Sequence, residues 1–294
     1  MKAVSKKDVD YYRNLWVKHL EQVRQERLSY YTRRAQAERD PGNYISLILD
    51  FSQAIQLPLI AKPPKAYAMK LQTRYPMLIG GIIDHGQNKN IYYYPSHQFG
   101  KGPNMIISML HNHLHRNYFS QSGLQPRTLF LQADNCAGEN KNRYLMGYLS
   151  WLVHQGAFDH IYFNFLPVGH THEDIDQLFS NLHKIRMQGT CHTPAEFYTL
   201  LRSAYLDGPH APMFHSMPVI YDWKEWFTPH LNDIKNHSKP RHFHIFRIQC
   251  HVTLTAKATP LTLEESAPVI LFQSAPQGLP ITCPPLPLEN QVNE

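Results

Sequence analysis

The sequence predicts an α/β fold in which a mixed sheet is flanked by helices. Two apolar segments of strand length, Tyr44–Asp50 and Thr128–Asp134, each end on an aspartate. Segments that are apolar on both faces are typical of central strands covered on two sides. Elsewhere, apolar residues recur every three or four positions, which indicates helices. An early group of strands followed by alternating helices and strands favours a mixed sheet with helices on both faces.

The first predicted element is a basic helical segment over residues 1–42. It opens on a capping box and continues as a stripe at helical spacing, formed by Ser5–Asp8 and then Trp16, Leu20, Val23, Arg27 and Tyr31. Pro41 ends it. Residues 1–40 hold ten Lys or Arg against six Asp or Glu, which gives +4 of the total +6. Such a segment suits contact with phosphates, although a solvated helix face is the commoner explanation.

The second predicted unit is a core over residues 43–210. Its elements in chain order are the strand Tyr44–Asp50, a hairpin of Met77–Asp84 and Asn90–Tyr94, a helix over Asn104–Asn117, the strand Thr128–Asp134, a helix over Asn140–Gln155, the strand His160–Val168 and a helix over Glu173–Arg186. This is the element order of the ribonuclease-H-like fold. Residues 211–274 are predicted to form a β-containing extension, and the Pro-rich residues 275–294 are predicted to be disordered.

Composition excludes several classes of protein. With 43% apolar and only 18% charged residues in 294, the chain can bury a core and is not disordered as a whole. Its apolar runs are far shorter than the roughly 20 residues that span a bilayer, and the first ten residues lack a signal-peptide pattern. The four cysteines form no CxxC pair, so we expect neither a disulfide framework nor zinc. An intracellular protein is the default.

Aspartates end both central strands, and more acids open the last predicted helix. Asp50 and Asp134 lie where ligands collect in open α/β sheets, beyond the carboxyl ends of the strands. Glu173, Asp174 and Asp176 follow the next strand. Three converging carboxylates repel one another by about 4 kcal/mol a pair at ~4 Å and a dielectric near 20. Such a cluster calls for Mg²⁺ or Mn²⁺, and two of these ions can stabilise both oxygens of a phosphoryl displacement.

Each acid also has a structural interpretation. Asp50 could cap the turn that follows its strand, and Asp134 could begin an Asx turn. Asp174 fits a capping box of its helix, and Glu173 would satisfy the helix dipole. Asp176 could be an ordinary surface residue. Residues alone leave these alternatives open.

Polar residues next to the acids are candidates for nucleic-acid contact. They are Asn135, Asn140, Lys141 and Asn142 after the second acid, and His170 and His172 before the last helix. The first four stand at a predicted helix N-terminus, which suits a phosphate. The two histidines could orient water or contact a nonbridging oxygen, or simply hydrogen-bond their own loop.

The segment His111-Asn112-His113 reads HNH in one-letter code, which is also the name of a nuclease class. It lies within a predicted helix, however, and no third metal ligand accompanies it. We therefore predict that these histidines are structural.

Two longer segments carry a family resemblance. DNCAGENKN (134–142) and GHTHEDID (169–176) resemble motifs of a domain of unknown function that is common in eukaryotic transposon-derived proteins. The likeness spans roughly residues 10–255. That family is similar to transposase or integrase catalytic cores of the ribonuclease-H type. By position, the resemblance implies Asp50 and Asp134 as the first two catalytic, metal-binding acids, and Asp176 or Asp174 as the third.

The resemblance implies a nuclear, DNA-cutting enzyme. Two Mg²⁺ or Mn²⁺ ions would serve DNA nicking and strand transfer, with DNA as the partner and a homo-oligomer as the active form. No zinc module or clear helix-turn-helix precedes residue 44, which indicates either a truncated element or dependence on a separate recognition domain or protein. Two alternatives stay open: a retired transposase domain that binds nucleic acid or protein without catalysis, and a structure-selective nuclease without strand transfer.

Overall fold

The computed structural model describes residues 6–60, 75–95, 102–120, 126–134, 136, 140–165, 174–188, 190–205, 211–232 and 240–284. The helices in these ranges are α1 (Lys6–Arg39), α2 (Pro103–Leu114), α3 (Arg143–His154), α4 (Asp174–Gln188), α5 (Pro194–Ser203) and α6 (Trp223–Phe227), and a π-helical turn (His115–Phe119) follows α2. The strands are β1 (Tyr44–Phe51), β2 (Ile55–Leu57), β3 (Tyr75–Asp84), β4 (Lys89–Pro95), β5 (Thr128–Ala133), β6 (His160–Phe165), β7 (Met213–Ser216), β8 (His242–Ile248), β9 (His251–Lys257) and β10 (Val269–Ile270).

The strands form one mixed sheet in the order β10-β9-β8-β6-β5-β1-β3-β4-β7, with β2 paired to β3. Strands β1, β5 and β6 are parallel neighbours, whereas β3 runs antiparallel to both β1 and β4. The predicted α/β class is therefore confirmed, together with the N-terminal helix and the C-terminal strands. None of the described helices is both long and apolar enough to cross a membrane.

Both faces of the central strands are buried, which explains their continuous apolar sequences. Leu47 and Leu49 of β1 belong to a large apolar cluster with residues of α2, α3 and α6. Ile48, between them, belongs to a second cluster with residues of α1, α4 and α5. Because side chains alternate along a strand, β1 contributes side chains to an apolar core on each face of the sheet.

Helix α1 has two halves with different surroundings. The second half packs on the sheet: the Arg33 guanidinium carbon lies 5.4 Å and 5.3 Å from two aromatic ring centroids, those of Phe130 and Tyr162. Glu26 Oε2 lies 2.8 Å from His242 Nε2. The first half is exposed, and its Trp16 side chain is 58% accessible to solvent. Within the predicted segment 1–42, residues Lys6–Arg39 are thus helical, and only the second half of this helix packs on the sheet.

Residues after 210 extend the same sheet. Strand β8 pairs with β6, and β7 pairs with β4. Residues 275–284, which the sequence predicts to be disordered, are instead held against 220–222: Asp222 N–H donates to Ile281 O at 2.8 Å, and Cys283 N–H donates to Ile220 O at 2.6 Å. Residues 285–294 lie outside the described residues.

Candidate functional site

Two acids meet at the carboxyl edge of the central parallel strands. The register pairs Leu49 of β1 with Ala133 of β5. One residue further on, this register places Asp50 beside Asp134, about 5 Å apart between Cα atoms at ordinary interstrand spacing. Both side chains follow the alternation of Ile48, so they point to the sheet face that α1 and α4 cover.

The Asp134 carboxylate is fixed by its own loop. Its Oδ1 accepts a hydrogen bond from the Cys136 backbone N–H at 3.2 Å and a second one from the Asn140 side-chain amide. Among the described residues no group donates to Oδ2. Two residues of the loop therefore hold Oδ1 of this carboxylate.

Two of the three polar residues after the loop are buried. Asn140 is fully buried. Asn142 is the N-cap of α3, and its Oδ1 accepts from the N–H groups of Tyr144 and Leu145 at 3.0 Å each. Lys141 is buried with Nζ 5.1 Å from the ring centroid of Phe165. Of the predicted DNA-contacting residues, Asn140 and Lys141 are thus buried and Asn142 caps a helix, whereas Asn135 lies outside the described residues.

Lys141 has a second cation nearby. Burial lowers the pKa of Lys141, and the charge of Arg241 lowers it further. Arg241 accepts a hydrogen bond through its carbonyl from the Phe165 N–H at 2.9 Å, so it stands at the end of β6, next to the strand that leads to Asp134. Sequence reasoning missed Arg241, because only the pairing of β8 with β6 brings it here.

Helix α4 packs on the strand that neighbours Asp50. Gly81 of β3 is the register partner of Asp50. A Cβ at Gly81 would lie 2.9 Å from Phe179 Cζ and 3.1 Å from Ile175 Cδ1. The absence of a side chain at Gly81 therefore lets α4 approach the sheet closely beside this acid.

Asp174, one candidate for the third acid, is bound at a different place. Tyr30 Oη donates to its Oδ1 at 2.8 Å, and Arg34 Nη1 donates to its Oδ2 at 2.6 Å. His85 Nε2 lies 3.3 Å from the same Oδ2. Burial alone would raise the pKa of Asp174, but hydrogen bonds from His85 and Tyr30 outweigh it and hold the pKa well below its ordinary value.

This network lies near the start of β1. His85 Nδ1 is 2.9 Å from Ser46 Oγ, and Ser46 precedes Asp50 by four residues, or about 13 Å of strand. Ser46, His85 and Asp174 have the composition of a hydrolase triad. Ser46, however, is buried within β1, so no substrate reaches its hydroxyl and the chain of hydrogen bonds is structural.

Asp176 lies on the other flank of α4. At 100° per residue it is 200° from Asp174 around the helix, and it is half-buried. It follows Ile175, whose side chain approaches the register partner of Asp50. Within the described ranges, no three Asp, Glu, His or Cys side chains come close enough together to hold a metal ion. Glu173, His170 and His172 lie outside those ranges.

The HNH segment is structural, as predicted. His111 Nδ1 lies 3.2 Å from Tyr148 Oη, and His113 Nε2 lies 3.3 Å from Asp84 Oδ2. Both histidines are buried. Burial, and secondarily the nearby His115, lowers the pKa of His111 to about 4, so this ring is neutral at pH 7.

One comparison with known proteins identifies a family. A family model described as "Domain of unknown function (DUF7869)" matches residues 68–262, which is more than half of the chain. No curated protein matches the chain, and no solved structure does.

Proposed function

Because the chain belongs to the family of the domain of unknown function DUF7869, whose description states no activity, we propose its function from the site. We infer a transposon-derived polynucleotidyl transferase core that nicks DNA and transfers a strand with Mg²⁺ or Mn²⁺. One observation carries this proposal: Asp50, the penultimate residue of β1, and Asp134, which directly follows β5, lie side by side on neighbouring parallel strands and face the same side of the sheet. Ligands of open α/β sheets bind at such an edge.

The sheet supports a ribonuclease-H-like assignment. Its central five strands run in the order β4-β3-β1-β5-β6, and β3 alone runs opposite to the others. Three early antiparallel strands followed by two parallel ones are what the ribonuclease-H-like element order requires.

The residues at the edge fit a hard divalent cation. Mg²⁺ is usually held by one or two carboxylates together with waters and substrate phosphates, so Asp50 and Asp134 are sufficient protein ligands. The Asp134 Oδ2 has no hydrogen-bond donor among the described residues. Asp176 is the better third acid because of its place. It follows Ile175, whose side chain approaches the register partner of Asp50, whereas the network that binds Asp174 lies near the start of β1.

In this proposal the protein side chains position and attract the DNA. Divalent ions supply activation of the attacking oxygen and stabilisation of the leaving one. Asp50 and Asp134 hold the ions. Lys141 and Arg241 add positive charge beside the edge, which attracts a phosphate backbone. A DNA substrate implies a nuclear location, a separate recognition domain or protein, and association of copies for strand transfer.

A second candidate is a catalytically inactive module that binds nucleic acid or protein. Two observations favour it: Asp174 is neutralised by Arg34 at 2.6 Å, and no group of three metal-ligating side chains occurs among the described residues. The two candidates differ in one measurable property, which is whether the edge of the sheet binds a divalent cation.

Thermal unfolding with and without millimolar Mn²⁺ tests this property. The variants are Asp134→Asn, which removes a ligand, and Asp159→Asn, an exposed acid paired to Arg127 at the opposite end of the parallel strands. Saturation of 100-fold over Kd stabilises by about 2.7 kcal/mol, or several degrees for a chain of this size. We expect this rise in wild type and Asp159→Asn but not in Asp134→Asn. No rise in wild type, or a rise in all three proteins, contradicts the proposal.

A further inference from the structure

Asn140 combines full burial with an incomplete set of hydrogen bonds. Its side-chain amide nitrogen donates to Asp134 Oδ1. Its amide oxygen is inaccessible to solvent and has no hydrogen-bond donor among the described residues. A buried amide in a native protein normally satisfies both ends, so the unpaired oxygen needs an explanation.

The orientation of this amide is set by chemistry. Asp134 is an acceptor when ionised, so the NH₂ end of Asn140 must face it and the oxygen must point the other way. The backbone fixes the residue as well, since the N–H groups of Asn140 and Lys141 both donate to Cys136 O, at 2.8 Å and 2.9 Å. The amide therefore cannot rotate to find a partner without losing its bond to Asp134.

We propose that Asn140 is a positioning residue of the cation site at the sheet edge. Its NH₂ group holds Asp134 Oδ1, so that Oδ2 points to the cation. This role accounts for a buried amide whose oxygen has no hydrogen-bond donor among the described residues. This inference rests on the proposed function, in that it takes Asp134 as a cation ligand. Partners of this kind, one layer behind the ligands, orient the ligands and tune metal affinity.

A purely structural role for Asn140 leads to a different expectation. Leucine has the branching of asparagine but is larger, and it carries no polar side-chain atom. If the amide only stabilised the loop, Asn140→Leu would lower the metal-free melting temperature and leave cation affinity alone. If it positions Asp134, the variant binds the cation more weakly, whatever the change in its metal-free melting temperature.

The test measures Mn²⁺ affinity by electron paramagnetic resonance, with metal-free melting temperatures recorded on the same samples. The variants are Asn140→Leu and the smaller Asn140→Ser. Asn43→Leu is the matched control, because the Asn43 amide also donates to a carboxylate, that of Asp40 at 3.0 Å, but on the exposed surface. Asp134→Asn reports whether the ligand itself is assigned correctly.

We expect Mn²⁺ affinity to fall 10–100-fold in both Asn140 variants and to stay unchanged in Asn43→Leu. Binding that Asp134→Asn abolishes but Asn140→Leu and Asn140→Ser retain overturns the role of Asn140 and leaves the proposed function intact. Absence of Mn²⁺ binding by wild type overturns both.

Discussion

The close approach of α4 to the sheet depends on Gly81, and Gly81→Ala tests it. The new methyl group would lie 2.9 Å and 3.0 Å from two ring atoms of Phe179, and 3.1 Å from Ile175 Cδ1. Ordinary carbon contacts are about 3.5–4.0 Å. The Phe179 ring and the end of the Ile175 side chain must therefore shift by about half an ångström or more, next to Asp50.

The expected cost is the difference of two effects. Overpacking a filled site destabilises by about 1–3 kcal/mol, whereas alanine within a strand is favoured over glycine by roughly 0.5–1 kcal/mol. We expect Gly81→Ala to lower the free energy of unfolding by up to about 2.5 kcal/mol, measured by urea denaturation. Gly86→Ala is the control, since its Cβ would meet nothing closer than 3.5 Å, and its effect should stay within about 0.5 kcal/mol.

A double-mutant cycle identifies the contact responsible. Replacing the ring by Phe179→Leu should lower the free energy of unfolding less in the Gly81→Ala background than in wild type, because it removes the clash. Coupling of about 0.5 kcal/mol or more is expected for residues in contact. A Gly81→Ala protein at least as stable as wild type, or additive behaviour of the two substitutions, would refute the packing described here.

Two further predictions concern the polar network and the start of α3. Asp174 has a folded-state pKa below the roughly 3.9 of an unfolded chain, so its stabilisation is complete above that value and is lost as pH falls below it. The stability difference between wild type and Asp174→Asn, from urea unfolding, should thus be largest near pH 7 and shrink from about pH 5 to pH 3; a constant difference contradicts this. Asn142→Ala removes an N-cap and should cost about 1 kcal/mol, whereas Asn142→Asp should retain most of the stability in thermal melts; equal losses in both would argue against capping.

The part of the site that sequence could predict is the part that local pattern determines. Asp50 and Asp134 end apolar segments of strand length, and parallel neighbouring strands bring such ends together. The surroundings of Asp174 depend instead on Tyr30, which is 144 residues away in sequence. The sequence indicates Asp174 as an acid at a helix start. No local pattern shows that side chains of α1 bind it.

The elements of the fold that the sequence does not predict likewise lack a local pattern. Short elements such as β2, with three residues, and β7, with four, carry too few residues for a period to be visible. The alternating segment 242–255 divides into two strands at Gln249, which has a φ of 53°. A non-glycine residue in this region of φ is uncommon, and its side chain gives no warning of the turn.

The exposed first half of α1 gives the protein an optical property. Of the four tryptophans, Trp223 is fully buried, Trp151 is nearly so and Trp226 is half-buried, whereas Trp16 stands on the exposed half of the helix. Iodide or acrylamide in solution therefore quenches Trp16 far more than the others. The fraction of the tryptophan fluorescence that these agents quench therefore reports whether the first half of α1 is exposed to solvent. No label has to be added to the chain.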